Sequence, residues 1–138
     1  MKKVFFVLPV LMLFMVTGCM GPKRAEHFQP MEVGFEWNGN AGSYNSSPNP
    51  EIHVKNVPTG TAFLDVHVKD LQRPGTFHGG GTVAYDGSGV IAVGALKNYH
   101  GPQPPAPEVH TYVFRVRALS ADKSLVLGEG EASRKYPE

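Results

Sequence analysis

The sequence predicts an all-β fold, an antiparallel two-sheet sandwich, and three observations predict it. Sixteen glycines and twelve prolines in 138 residues leave few windows of ten without a helix breaker. Short apolar stretches recur along the chain with turn residues between them. The longest, residues 109–119, alternates strictly: His110, Tyr112, Phe114, Val116 and Ala118 share one face, while Thr111, Arg115 and Arg117 share the other.

The chain opens with an export signal. Lys2 and Lys3 are followed by residues 4–16, apolar apart from Pro9, and then by Val16-Thr17-Gly18-Cys19. The apolar run is too short to span a bilayer, and small residues mark a cleavage site. Cys19 is the only cysteine, so an intramolecular disulfide is excluded. It sits in the pattern of a bacterial lipobox. Residues 1–18 therefore read as a lipoprotein signal peptide, with Cys19 becoming the acylated N-terminus. Two or more acyl chains hold a protein on a bilayer where one binds only marginally. Met20 replaces the aspartate that retains lipoproteins at an inner membrane, which favours the periplasmic face of the outer membrane in a Gram-negative cell.

The 120 residues from Cys19 onward make one domain of ordinary size. Without Lys2 and Lys3, 11 basic residues stand against 12 acidic ones, a net charge near −1. No basic run or aromatic-basic interleaving is present, so nucleic acid is not an expected partner. Lys23-Arg24 is too short for a polybasic lipid patch. Residues 19–29 read as a lipid-anchored tether, and residues 30–138 as the β-domain.

Strand candidates follow in order. Residues 31–37 come first, then 52–57, closed by Pro58-Thr59-Gly60. Residues 61–70 alternate, with Ala62, Leu64, Val66 and Val68 inward and Asp65, His67 and Lys69 outward. Gly79-Gly80-Gly81 leads into residues 82–85, and Asp86-Gly87-Ser88-Gly89 is a tight turn into residues 90–93, suggesting a hairpin. Residues 109–119 form the longest strand and 124–128 a short last one.

Two polar residues interrupt the apolar faces. Asp70 continues the inward phase of its strand, and a buried carboxylate is costly unless paired. Alternatively the strand ends at Lys69, and Asp70 caps the turn Leu71-Gln72-Arg73-Pro74. His110 and Tyr112 enter the inward phase where the strand leaves the proline-stiffened loop Asn98-Tyr99-His100-Gly101-Pro102-Gln103-Pro104-Pro105. A histidine there is either a pocket residue, as loops on rigid sheets often supply, or a core-edge residue bonded to backbone.

These residues, taken in order, resemble a family. Ser47-Pro48-Asn49-Pro50-Glu51-Ile52, Val57-Pro58-Thr59-Gly60-Thr61, Asp70 with Pro74, Tyr99-x-Gly101-Pro102-x-Pro104-Pro105 and His110-x-Tyr112-x-Phe114 are similar to the phosphatidylethanolamine-binding proteins (PEBPs), in particular their bacterial, Raf kinase inhibitor-like branch. The resemblance runs over residues 46–119. It implies a Greek-key β-sandwich with a small anion-binding cavity, places Asp70, His110 and Tyr112 in that cavity with Gly101 and Pro102 as its wall, and matches His78 to a further cavity histidine. Histidine and tyrosine can donate to a phosphate or carboxylate, and backbone N–H groups of the glycine loop can add to them. Asp70 would hold a histidine protonated or meet the amine of a zwitterionic head group. The chain departs from the family pattern at Gln72, where a second aspartate is usual, at the glycines after His78, and at His53-Val54, where a tryptophan is usual.

Phe77-His78-Gly79-Gly80-Gly81 is similar to the oxyanion-hole loop of some esterases, but those enzymes also need Gly-x-Ser-x-Gly between a strand and a helix. Gly87-Ser88-Gly89 lacks that spacing, so no enzyme activity is expected. Of six histidines, only His78 and His110 combine with Asp70 into a three-ligand metal set, and no close spacing supports it; neither metal nor cofactor is expected. Two function classes remain. One is a membrane-anchored protein whose cavity binds a small anionic or zwitterionic ligand, phosphate or a phospholipid head group. The other is a cell-envelope interaction module that docks a protein partner, its cavity vestigial.

Overall fold

The computed structural model describes residues 21–138. The signal peptide and the acylated Cys19 expected from the sequence lie outside the described residues. Among the described residues there is no helix long and apolar enough to cross a membrane.

Among the described residues nine strands run in chain order: β1 Lys23–Pro30, β2 Glu32–Phe35, β3 Ile52–Lys55, β4 Phe63–Asp70, β5 Gly79–Ala84, β6 Val90–Ile91, β7 Asn98–Tyr99, β8 His110–Leu119 and β9 Leu125–Tyr136. They form a six-stranded sheet in the order β1-β9-β8-β4-β5-β7 and a three-stranded sheet in the order β2-β3-β6. The sheets enclose one core. Leu64, Val66 and Val68 of β4 and Phe114, Val116 and Ala118 of β8 meet Phe35, Ile52, Val54 and Ile91 from the smaller sheet. Phe35 and Phe114 set the contact, their ring centroids 4.3 Å apart. Burial of such side chains is worth about 1.5–3 kcal/mol each.

The alternation expected in β4 and β8 decides what faces the core, and it is observed except at Asp65, which is buried beneath Thr82 and Arg117 rather than exposed. Strand pairing aligns Leu64 with Ala118, Val66 with Val116, Val68 with Phe114 and Asp70 with Tyr112. The inner-face ladder is therefore apolar until its last rung, where an acid meets a phenol. Asn49, fully buried, braces the other side. Its amide donates to Pro50 O and Ala92 O and its carbonyl accepts from Leu96 N–H, tying the start of β3 to the segment before β7.

Three features correct the sequence reading. First, from Lys23 the expected tether is a strand, and it pairs parallel with β9, so the sheets are not wholly antiparallel. β1 is polar on both faces and is held by backbone hydrogen bonds, with Arg24 stacked 3.6 Å from the Phe28 ring centroid. A hydrophobic pattern cannot reveal such a strand.

Second, the last strand spans 12 residues rather than ending at residue 128. Gly128 and Gly130 each let another backbone cross closely. A Cβ on Gly130 would lie 2.3 Å from Met31 O, and one on Gly128 would lie 2.6 Å from Gln29 O. β9 is sandwiched between β8 and β1, so pairing on both edges stabilises a stretch with little apolar content.

Third, Asp86-Gly87-Ser88-Gly89 closes no hairpin. β5 pairs with β4 and β7, whereas β6 pairs with β3, so the turn carries the chain between sheets. Val54 N–H donates to Gly89 O at 2.7 Å and draws the turn toward β3.

Gly79 and Gly80 belong to β5 itself rather than to a loop leading into it. Their φ angles are +63° and +137°, and a Cβ would sit 1.8 Å from Asn98 O or 1.9 Å from Val66 O. Only glycine fits there. The run brings β4, β5 and β7 together just beneath His78.

Candidate functional site

The site is built where β4 ends and β8 begins. Asp70 is the last residue of β4 and His110 the first of β8; both are on the inner face and almost fully buried. His110 Nδ1–H donates to Asp70 Oδ2 at 2.7 Å. Asp70 Oδ1 accepts the backbone N–H groups of Gln72 at 2.8 Å and Arg73 at 3.0 Å. The two alternatives left open for Asp70 are thus both realised: one oxygen caps the turn and the other holds the histidine. Gln72, standing where the family pattern has a second acid, accepts Thr111 N–H at 2.6 Å and clamps the turn to β8.

The other ring nitrogen of His110 is also occupied. Nε2–H donates to Glu108 Oε2 at 2.7 Å. An imidazole donating to two carboxylates carries both protons and is a cation. Its pKa is raised, first by the hydrogen bond to Asp70 and then by that to Glu108, against the cost of desolvation. For Asp70, burial pushes the pKa upward, but the bonds from His110 and from the Arg73 and Gln72 amides outweigh it, and the net shift is downward.

Tyr112 follows on the same face. Burial, and then the facing Asp70 charge, push its phenol far above the ordinary tyrosine range, so it stays a neutral hydroxyl. Its ring stacks beside His110, with centroids 6.4 Å apart, and receives the edge of His78 at 5.1 Å. Trp37 closes the other side of Tyr112 at 5.8 Å and is held by its indole N–H donating to Lys135 O. His78 is buried, and its Nδ1–H donates to His100 O at 3.0 Å while His100 N–H returns a bond to His78 O. Nε2 of His78 has no hydrogen-bond partner among the described residues. Tyr44 packs between His78 and His100 and donates to Phe77 O.

Asp70, His78, His110 and Tyr112, drawn from three separate stretches of chain, therefore come together. Gly101 and Pro102 are buried beside them, against residues 43–47. The Gly101 N–H is engaged by Tyr44 O at 3.1 Å, so it does not serve as the ligand donor that the resemblance implied.

Two hollows flank the cluster. One of about 200 Å³ is lined by Glu108 together with Gln103, Pro104, Pro107 and Tyr136. A larger groove of about 610 Å³ crosses the outer face of the main sheet past Lys69, Arg115, Arg117 and Glu131, and ends at Phe77 and His78. Asp70, His110 and Tyr112 line neither. The sequence reading missed Glu108, although the period of β8 extended back by two residues places it in phase with His110. It also missed Arg73, whose guanidinium stands 3.9 Å from Glu108, and Tyr44, for which no sequence signal exists.

No protein-family model matches the chain, and no curated protein matches it in sequence. Solved structures do match. A PEBP homologue from Chlamydia trachomatis superposes with a TM-score of 0.53 at 17% identity, covering 79% of this chain and 98% of that one. The chain has the PEBP fold. E. coli YbcL, described as a member of the mammalian PEBP family, superposes with a TM-score of 0.55 at 16% identity, over 78% of this chain and 98% of its own. At these identities the likeness is one of fold. It places the Asp70–His110 pair within a PEBP-fold domain whose side chains must be read on their own chemistry.

Proposed function

We propose that this PEBP-fold protein is a lipid-anchored envelope protein that binds a small anionic or zwitterionic ligand, phosphate or a phospholipid head group, at the His110 corner of its Greek-key sandwich. One observation carries the reading. A buried imidazolium is pinned on one side by a buried carboxylate, Asp70, and on the other presents its N–H to an exposed one, Glu108. A fixed charged donor facing an exchangeable acceptor is what an oxyanion site requires. The Tyr112 hydroxyl and the buried ring of His78 stand beside the pair as further polar groups.

Binding rather than catalysis is the favoured role, because both His110 nitrogens are engaged by carboxylates and neither is free to act as a base. Acylation of Cys19 would hold the domain at the membrane, on the periplasmic face of the outer membrane in a Gram-negative cell. Thermal unfolding in the presence of phosphate, phosphoethanolamine or nucleotides tests the reading. A ligand at a hundred times its Kd stabilises by about 2.7 kcal/mol, so a melting shift absent from His110→Ala is expected. No shift with any of them would overturn it.

A second reading has its own observation. Leu71 and Phe77 are 53% and 65% exposed at the end of the outer groove. Exposed apolar residues beside a groove suit docking of an envelope protein. On that reading Leu71→Ser with Phe77→Ser abolishes capture of the partner and leaves phosphate binding unchanged.

A further inference from the structure

We propose that the Glu108 carboxylate is a built-in occupant of the anion position, and that the ligand displacing it is a doubly charged phosphomonoester. This inference rests on the binding role proposed for His110 and narrows its ligand to a phosphomonoester, which excludes the diester head group of an intact phospholipid.

The geometry separates a fixed half of the site from a movable half. His110 is 2% exposed at its side chain and locked on Asp70, whereas the Glu108 side chain is 52% exposed. The oxygen bonded to His110 Nε2, Glu108 Oε2, is also the one 3.9 Å from the Arg73 guanidinium. That oxygen thus marks a position facing two cations, one of them carried by a turn that Asp70 itself caps. The backbone of Glu108 is tied back by its N–H to Pro105 O at 2.8 Å, so the side chain can swing while the proline loop stays in place. The hollow of about 200 Å³ lined by Glu108 gives the carboxylate somewhere to go.

Displacement decides the ligand class. A tethered carboxylate competes at an effective concentration of the order of millimolar or more. A free monocarboxylate, or a phosphodiester with its single charge, gains nothing electrostatically over Glu108 and is excluded at lower concentration. A phosphomonoester carries about −1.5 to −2 charge at pH 7 and three acceptor oxygens. It can accept from His110 Nε2–H and pair with Arg73 at once, which one carboxylate oxygen at 3.9 Å from Arg73 does poorly. Glu108 therefore acts as a specificity filter, and Arg73 as a ligand-binding residue that its movement frees.

Calorimetric titration of the full-length chain with inorganic phosphate, acetate and glycerophosphoethanolamine tests this. The unmodified chain should bind phosphate, and neither of the other two at the same concentration. Glu108→Gln should tighten phosphate binding by about tenfold and make acetate and the phosphodiester detectable; Arg73→Ala should weaken phosphate by about tenfold. Phosphate should also move the Glu108 carboxyl carbon resonance to that of a solvated glutamate. If the unmodified chain binds phosphate and Glu108→Gln binds it no more tightly, the filter is wrong while the site stands. Equal binding of phosphodiester and phosphate by the unmodified chain overturns the ligand class alone. If neither chain binds phosphate, both this inference and the binding role fall.

Discussion

His110 and Asp70, 40 residues apart in sequence, share a hydrogen bond of 2.7 Å that joins the first residue of β8 to the last of β4. The bond does two things at once. It satisfies a carboxylate that would otherwise be buried alone, and it keeps an imidazolium protonated at the edge of an apolar core.

The pair makes stability depend on pH in a defined direction. His110 is shifted up from 6.5, so its contribution is complete below that value and is lost as pH rises through the raised one. Asp70 is shifted down from 3.8, so its contribution is complete above that value and is lost as pH falls through the lowered one. Stability from this pair should therefore plateau between pH 3.8 and 6.5 and decline on both sides. Urea midpoints at pH 5.5 and pH 9 should differ in the unmodified chain and converge in His110→Asn; an undiminished difference in that variant would locate the titration elsewhere.

Substituting Asp70 should distinguish its two tasks. Asp70→Ala removes both the turn cap and the partner of His110, and should cost about 3 kcal/mol. Asp70→Asn keeps an oxygen for the Gln72 and Arg73 amides and should cost about half of that. Equal losses by chemical denaturation would mean that the cap contributes nothing.

Gly80→Ala should be among the most damaging single changes. Its Cβ would lie 1.9 Å from Val66 O at a φ of +137°, so β5 cannot keep its place against β4. A loss of more than about 3 kcal/mol, or failure to fold, is expected. A variant that melts within a few degrees of the unmodified chain would contradict the close crossing.

Phe114→Ala should destabilise by about 4 kcal/mol. Phe114 is fully buried and touches Phe35, Trp37 and Tyr99, so the cavity would open where the two sheets meet. Because Trp37 also packs on Tyr112, its fluorescence should report the change. An unchanged emission maximum would show that the core repacks around the hole.

Export makes a separate prediction. If Cys19 is acylated, Cys19→Ser should release the protein from the membrane fraction, and globomycin should shift the precursor band. A membrane-bound Cys19→Ser protein would rule the anchor out.

How much of this was legible depends on the range of the interaction. The alternation of β8 from His110 to Ala118 is a local pattern of period two, and an apolar core must bury one face whatever lies across from it. The inward placement of His110 and Tyr112 follows from that pattern, whereas the same period in β4 left Asp70 open between an inward side chain and a turn cap. β1 and the second half of β9 have no such pattern; Lys23 pairs with Leu125 and Gly130 lies against Met31 through backbone contacts about a hundred residues apart. Turn chemistry misled at Asp86-Gly87-Ser88-Gly89, because a tight turn sets the local chain direction and not which sheet receives the next strand.

By itself, then, the sequence determined an all-β domain and the imidazole and phenol that face inward along β8, because burial of alternate side chains is written residue by residue. Only the tertiary structure decided that Glu108 and Asp70 grip the same imidazole from opposite sides, that Gln72 rather than a second acid clamps β8, and that His78 reaches Tyr112. Those contacts depend on the register between β4 and β8 and on the close crossing at Gly79 and Gly80, and strand register is set by partners distant in the chain.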